Sequence, residues 1–217
     1  MTNNLISGNE PKKIAVVFVA PNSSDALLAS LKKLFSLKPA SWKIKVHLLI
    51  QEPSTSIIEL VDSLNLAIRI FGYKSPRKLR KAQQIAAQEV DSDVSATLLV
   101  DARTKVSADA YGKFDAFHRQ YPNAVLIGQL AERDSSQISS GGYRAEGIFG
   151  KLQRFNTDAL PLDADGFDLT LVLVPNSVSE KIGQPVGPKA GTQASRFVRR
   201  AKRAGIKCLV LPGNYAD

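Results

Sequence analysis

Ala96–Tyr111, ATLLVDARTKVSADAY, is the stretch whose reading decides the fold. Ala96 to Val100 reads as a buried strand that delivers Asp101 to its C-terminal end, and a short polar turn leads into a new helix. In open α/β sheets, ligands sit outside the carboxyl ends of the strands, so Asp101 stands where chemistry is expected. Two residues on, Arg103 sets a cation beside that carboxylate.

The chain before this stretch alternates between two periods. Lys13 to Ala20 (KIAVVFVA) is a continuous valine-rich run, as expected of a strand covered on both faces. Pro21 to Asp25 breaks it, and Leu27, Leu28, Leu31, Leu34 and Phe35 then recur at helical spacing. Trp42 to Ile50 reads as a second strand, Ile57 to Leu64 as a short helix and Leu66 to Phe71 as a third strand. Ser75-Pro76 opens a helix to about Val90. Beyond Asp101 the pattern gives a helix over Ala108–Tyr121 and a fifth strand at Ala124–Gly128.

The second half is less regular. Glu132 to Gly147 is polar and glycine-bearing and reads as a mobile loop, and Ile148 to Phe155 reads as a strand. Phe167 to Val174 (FDLTLVLV) is a strand, Asn176 to Ile182 a short helix, and Gln184 to Gly191 a flexible loop. A helix over Ala194–Ala204, closed by Gly205, precedes the final strand Ile206–Leu211. Strand–helix alternation implies a single α/β domain, a mostly parallel sheet with helices on both faces. Residues 1–12 read as a flexible tail and 13–217 as the domain.

Composition bounds the class. The 217 residues are 44% hydrophobic, enough for a full core, and no apolar run approaches a membrane span. The opening MTNNLISGNEPKK has no apolar core and does not read as a signal peptide. The one cysteine, Cys208, lies in the apolar run KCLVLP and reads as a buried structural thiol, which fits a reducing, cytoplasmic setting. A net charge of +9 favours anionic partners: nucleotide phosphates, nucleic acid or an acidic surface.

Two basic runs hold much of that charge. Lys74-Ser75-Pro76-Arg77-Lys78-Leu79-Arg80-Lys81 follows a strand's C-terminal end, where a helix start can grip phosphate. Arg196, Arg199, Arg200 and Arg203 share one face of the last helix, which suits a polyanion such as DNA or RNA; no aromatics interleave them, so base stacking is not implied. His47 and His118 have no metal-ligand spacing and read as packed or surface residues.

Six short segments, in order, resemble the GT-A fold of the large inverting family of nucleotide-sugar glycosyltransferases. KIAVVFVAPNSSDALLASLKKL is similar to that family's opening strand, turn and leucine-rich helix. LLIQEPSTS stands where the family ends a strand in two aspartates and a glycine; here Gln51, Glu52 and Pro53 replace them. AQQIAAQEV resembles its Ala-x-Asn-x-Gly helix, LLVDARTKVSADAY its Asp-x-Asp strand, LTLVLVPNSVSEKIG the segment before the acceptor loop, and GTQASRFVRRAKRAGIKCLVLP its last helix and strand.

The resemblance implies a nucleoside-diphosphate-sugar donor, with base and ribose near Ala20, Pro21, Asn22, Gln51 and Glu52, and diphosphate near Asp101, Arg103 and Arg77 or Lys81. In the family, Asp-x-Asp holds Mg²⁺ or Mn²⁺. Here the second position is Arg103, whose guanidinium repels a cation but pairs with phosphate oxygens directly, Asp101 then orienting it or binding ribose. The other reading leaves Arg103 in solvent and the site dead. At the family's catalytic-base positions stand Thr192 and Gln193, with Ser195 next, none a base at neutral pH. Asp168 is the alternative base. Asp163-Ala164-Asp165 is a literal Asp-x-Asp, but it sits in a Pro/Gly-flanked segment and reads as a solvated loop. Two functions therefore stand: a glycosyltransferase, with Mg²⁺ or Mn²⁺ or with Arg103 in the metal's place, whose acceptor is unidentified and open to an anionic polymer or nucleic acid; or an inactive scaffold acting as a polyanion-binding or structural module.

Overall fold

The structure, a computed structural model, describes residues 11–20, 22–90, 93–101, 106–131, 138–146, 151–155, 157, 159–185 and 190–215. Pro21, Arg103 and residues 1–10 of the expected tail lie outside them.

Four strands and their crossovers come first: β1 (Lys12–Val19), α1 (Ser24–Leu37), β2 (Trp42–Gln51), α2 (Thr55–Ser63), β3 (Ile68–Tyr73), a single 3-10 turn (Pro76–Lys78), α3 (Leu79–Gln88) and β4 (Ala96–Asp101). Next come α4 (Ala110–Gln120), β5 (Val125–Ala131), β6 (Ile138–Ser140), β7 (Gly142–Glu146), β8 (Lys151–Arg154), β9 (Leu162–Asp163) and β10 (Gly166–Phe167). The chain then adds β11 (Leu171–Pro175), α5 (Asn176–Ile182), α6 (Ala190–Arg203) and β12 (Cys208–Asn214).

The main sheet runs β3-β2-β1-β4-β11-β5-β12-β9, with β6 paired to β5. β1, β2, β3 and β4 are mutually parallel where they pair, as are β5 and β12, while β11 lies antiparallel between β4 and β5. Alternation along each strand sends residues to opposite faces. Ile14, Val16 and Phe18 of β1 pack with Leu27, Leu31 and Leu34 of α1, Ile57 of α2 and Phe114 of α4. Val17, Leu49 and Leu99 face the other way, onto Ala82 and Ala86 of α3, Val178 of α5 and Phe197 and Ala201 of α6. Each such aliphatic or aromatic side chain contributes about 1.5–3 kcal/mol by leaving water. The expected mostly parallel sheet with helices on both faces is therefore present.

Two segments differ from the sequence reading. Glu132–Gly147 was expected as a loop, but its described part contains β6 and β7, and β7 pairs with both β8 and β10 in a small antiparallel sheet. Strand pairing needs backbone partners, which polar and glycine residues also supply. Gly142 is needed there for space: a Cβ on it would lie 2.1 Å from Val210 Cγ2. Phe167–Val174 is also not one strand. Asp168 N–H donates to Gly141 O at 2.9 Å, which holds Gly166–Phe167 in the small sheet, and the chain rejoins the main sheet only at Leu171.

The end of the sheet remote from Asp101 is closed by a polar knot. Trp42 Nε1 donates to Asp115 Oδ1 at 2.9 Å, Lys12 Nζ to the same oxygen at 3.2 Å, and Arg119 Nη2 to Oδ2 at 2.5 Å. Burial alone would raise the Asp115 carboxyl, but these three donors outweigh it and hold it below the usual carboxylate range. His118 is packed beside this knot and buried; burial first, then the charge of Lys12, lowers its imidazole to about 4, against an opposing pull from Asp115.

Candidate functional site

The parallel strands β1 to β4 end on one rim, where Gln51, Glu52 and Asp101 stand. Gln51 closes β2 opposite Tyr73, and Asp101 closes β4 opposite Val19. After β2 the chain turns sharply: Glu52 takes φ 47, in the left-handed region, while its N–H donates to Tyr73 O at 2.9 Å. Asn22 Nδ2 reaches Glu52 O at 3.5 Å, so the exits of β1 and β2 meet. Pro53 packs over β3, where a Cβ on Gly72 would sit 3.2 Å from Pro53 Cδ.

Between the exits of β2 and β3 and the start of α3 opens a cleft of ≈ 570 Å³, lined by Glu52, Pro53, Tyr73, Lys74, Lys78 and Lys81 among others. Its size is that of a small-molecule site. It joins an aromatic ring, a carboxylate and three ammonium groups. Lys81 was read from sequence. Tyr73 was not, because the third strand was ended at Phe71; the signal available was the 74, 78, 81 spacing of lysines after a strand, which sets them on one side of the helix start. Arg77 is exposed on the 3-10 turn and does not line this cleft. Asp101 lies three strand spacings from Tyr73 along the rim, roughly 14 Å.

Asp101 is half-buried, and its N–H donates to Thr170 O at 2.9 Å, which draws the start of β11 to the same rim. Just before Thr170, Asp168 is buried, and its carboxylate is held from three directions. Gly141 N–H donates at 3.2 Å, Tyr143 Oη at 3.0–3.1 Å to the two oxygens, and Arg154 Nη2 at 3.2 Å. Arg154 also donates to Tyr143 Oη at 2.7 Å. Burial raises the Tyr143 phenol, Asp168 adds to the rise and Arg154 opposes it. Neither Tyr143 nor Arg154 was read as a partner of Asp168, since their contact runs across a hairpin that sequence spacing does not reveal.

Asp163 is exposed and Asp165 partly so, as expected, but the segment is not a plain loop: Asp163 ends β9, and both carboxylates accept hydrogen bonds. Asp163 Oδ1 accepts from Cys208 N–H at 2.9 Å, while Asp165 accepts from Ala145 N–H at 2.8 Å and Lys202 Nζ at 2.5 Å. Among the described residues no group of three or more His, Cys, Asp or Glu side chains is placed to hold a metal ion. The donor set at the rim does not fit Mg²⁺ or Mn²⁺: Asp101 is a single carboxylate followed in sequence by a guanidinium, and Asp168 is engaged by Arg154. His47 is buried with Nδ1 2.9 Å from Ala86 O. Thr192 and Gln193 fall in the first turns of α6. Arg196, Arg199, Arg200 and Arg203 are exposed along the outer side of that helix, with Phe197, Val198 and Ala201 beneath.

No protein-family model matches the sequence, and no curated protein matches it. Solved structures do. The chain is similar to GalNAc-T7 crystallised with UDP, GalNAc and Mn²⁺, at 14% identity and a TM-score of 0.70, over 94% of this chain and 43% of that one. It is similar to residues 1–349 of S. aureus TarS in complex with UDP-GlcNAc, at 14% identity, TM-score 0.63, over 94% and 57%. The mannosyltransferase PcManGT from Pyrobaculum calidifontis, with GDP-Man and Mn²⁺, matches at 12% identity, TM-score 0.62, over 94% and 55%. The chain has the GT-A fold. It spans about half the length of these glycosyltransferases. Within this GT-A domain, the rim of β1 to β4 is the carboxyl end of the parallel strands, where ligands of open α/β sheets are received. No helix among the described residues is long and apolar enough to cross a membrane.

Proposed function

We propose that this GT-A domain binds a nucleoside diphosphate sugar along the β3-β2-β1-β4 rim without a metal and passes the sugar to an acceptor. The observation that supports it is the cleft in which Tyr73 and Glu52 face Lys74, Lys78 and Lys81. Tyr73 offers a ring against which a base can lie, Glu52 accepts from ribose hydroxyls, and the lysines neutralise phosphates. Asn22 and Gln51, on the neighbouring strand exits, complete the base and ribose side together with Pro21, read from sequence, and Arg77 stands outside the cleft as a steering charge. The diphosphate then runs toward Asp101, and Arg103, two residues on in sequence, supplies a guanidinium that pairs with phosphate oxygens. The acceptor enters between the segments 139–144 and 183–191. Asp168 serves as base only if a bound acceptor displaces Tyr143 or Arg154 from it, since its oxygens are engaged at rest.

Calorimetry with UDP, GDP and ADP, each with and without Mn²⁺, tests the reading. It expects metal-independent binding of one nucleotide, weakened about tenfold by Lys78→Ala or Lys81→Ala and more by Arg103→Ala, since a hydrogen bond to a charged group is worth ~1.5–3 kcal/mol. No binding, or binding only with Mn²⁺, overturns it. The second reading, a scaffold that binds polyanions, is favoured by one observation: the exposed row Arg196, Arg199, Arg200 and Arg203. A duplex-binding assay across salt checks it, a steep loss of affinity being expected.

A further inference from the structure

A second cleft, of ≈ 700 Å³, lies between α3 and α5 with α6 at its side, on the helix-covered face away from the rim. Its lining includes Lys81 and Arg200 as cations, Glu180 as carboxylate, and the amides of Gln84, Gln88 and Gln184. Gln184 Nε2 donates to Thr97 Oγ1 at 3.0 Å and Ser179 Oγ at 2.7 Å, yet its Oε1 is buried without a hydrogen-bond partner among the described residues. Thr97 Oγ1 can also donate, and Ser179 Oγ can by giving up its 3.3 Å bond to Pro175 O, so turning the amide over exchanges which end is left. Either way one amide atom on the wall of this cleft lacks a partner among the described residues.

We propose that this cleft is a second ligand site, for a saccharide bearing one phosphate or carboxylate. A sugar hydroxyl both donates and accepts, so it satisfies Gln184 in either orientation and matches the amides of Gln84 and Gln88. Arg200, laid over the Phe197 ring with 5.8 Å to the centroid, and Lys81 take the anionic group. Glu180, whose Oε1 accepts from Asn176 Nδ2 at 3.0 Å, stands on the same wall. That carboxylate repels a densely charged polymer but accepts from sugar hydroxyls, which selects a saccharide with one anionic group over a nucleic acid. The site goes beyond the donor reading and does not depend on it, although Lys81 and Ile85 line both clefts.

The test is calorimetric titration of the full chain with glucose 6-phosphate, glucose and inorganic phosphate, each with and without excess UDP. Glucose 6-phosphate is expected to bind about tenfold more tightly than glucose or phosphate, whether or not UDP is present. Arg200→Ala and Gln88→Ala, both at exposed positions, should each weaken it by about three- to tenfold, and Lys78→Ala should leave it unchanged. Equal binding of phosphate alone overturns the proposal in favour of a bare anion site. Displacement by UDP, or loss in Lys78→Ala with retention in Arg200→Ala, overturns it by putting the sugar in the donor cleft. No heat at roughly 10 mM ligand, weaker than millimolar affinity, also overturns it. A failed UDP titration in the same series bears on the donor reading alone.

Discussion

The backbone N–H of Asp101 donates to the carbonyl of Thr170 at 2.9 Å, one step beyond the last aligned pair of β4 and β11, Val100 with Leu171. This bond fixes the rim carboxylate against the break in the chain that holds Asp168. Whatever sets the position of that break therefore sets the mouth of the site.

Asp168 is the clamp. Its side chain is 8% exposed and that of Arg154 34%, so the carboxylate is withdrawn from water while the guanidinium stays partly in it. Asp168→Asn keeps the shape but leaves Arg154 and Tyr143 without their shared charge. It should lower unfolding stability by about 2–3 kcal/mol in urea titration. An unchanged midpoint would show that the cluster adds nothing to the fold.

Acid should act on the opposite end in two stages. His118 has a folded value of about 4 against 6.5 in the unfolded chain, so unfolding takes up a proton between these limits. Stability is then greatest above about pH 6.5 and falls toward pH 4, by at most about 1.4 kcal/mol per unit. Asp115 is lowered too: its carboxyl is held below 3.8, so its contribution is present above that value and is lost as pH drops through the folded value. Urea midpoints from pH 8 to about 3 should show His118→Gln flattening the first stage and Asp115→Asn removing the second.

Cys208 is 1% exposed. Burial, helped by Asp163 and opposed by Lys202, pushes its thiol up to about 12. Native protein should resist iodoacetamide at pH 8, and the same chain in denaturant should react at the rate of a free thiol. Equal rates in both states would place the thiol at the surface.

Gly142→Ala should destabilise the chain by about 1–3 kcal/mol, because the new methyl meets Val210 at 2.1 Å with Phe155 at 3.2 Å. Val210→Ala in the same chain should recover part of the loss, giving a favourable coupling in a double-mutant cycle. Additive losses would mean that the backbone, not the valine, yields.

The central sheet was legible where composition and burial agree. KIAVVFVA could only be a strand covered on two faces, and β1 is buried from Ile14 to Phe18. The small sheet was not legible, because Ser139, Ser140, Gly141 and Gly142 carry no apolar period and their strands exist through backbone pairing. Phe167–Val174 misled for the opposite reason: its apolar run is continuous, while the bond from Asp168 N–H to Gly141 O cuts it in two. At the site, the strand-end positions Gln51, Glu52 and Asp101 followed from where the strands stop. Tyr73 and the Tyr143–Arg154–Asp168 cluster required coordinates, since ring and ion partners across a hairpin obey no fixed offset.

The single reversed strand has an architectural consequence. Because β11 runs against β4, the excursion from β5 through β10 departs from and returns to one edge of the molecule, the edge where β1 to β4 terminate. Segments of other lengths could be spliced there without rethreading the sheet behind them. The chain thus carries its small sheet as a visor on a frame of parallel strands.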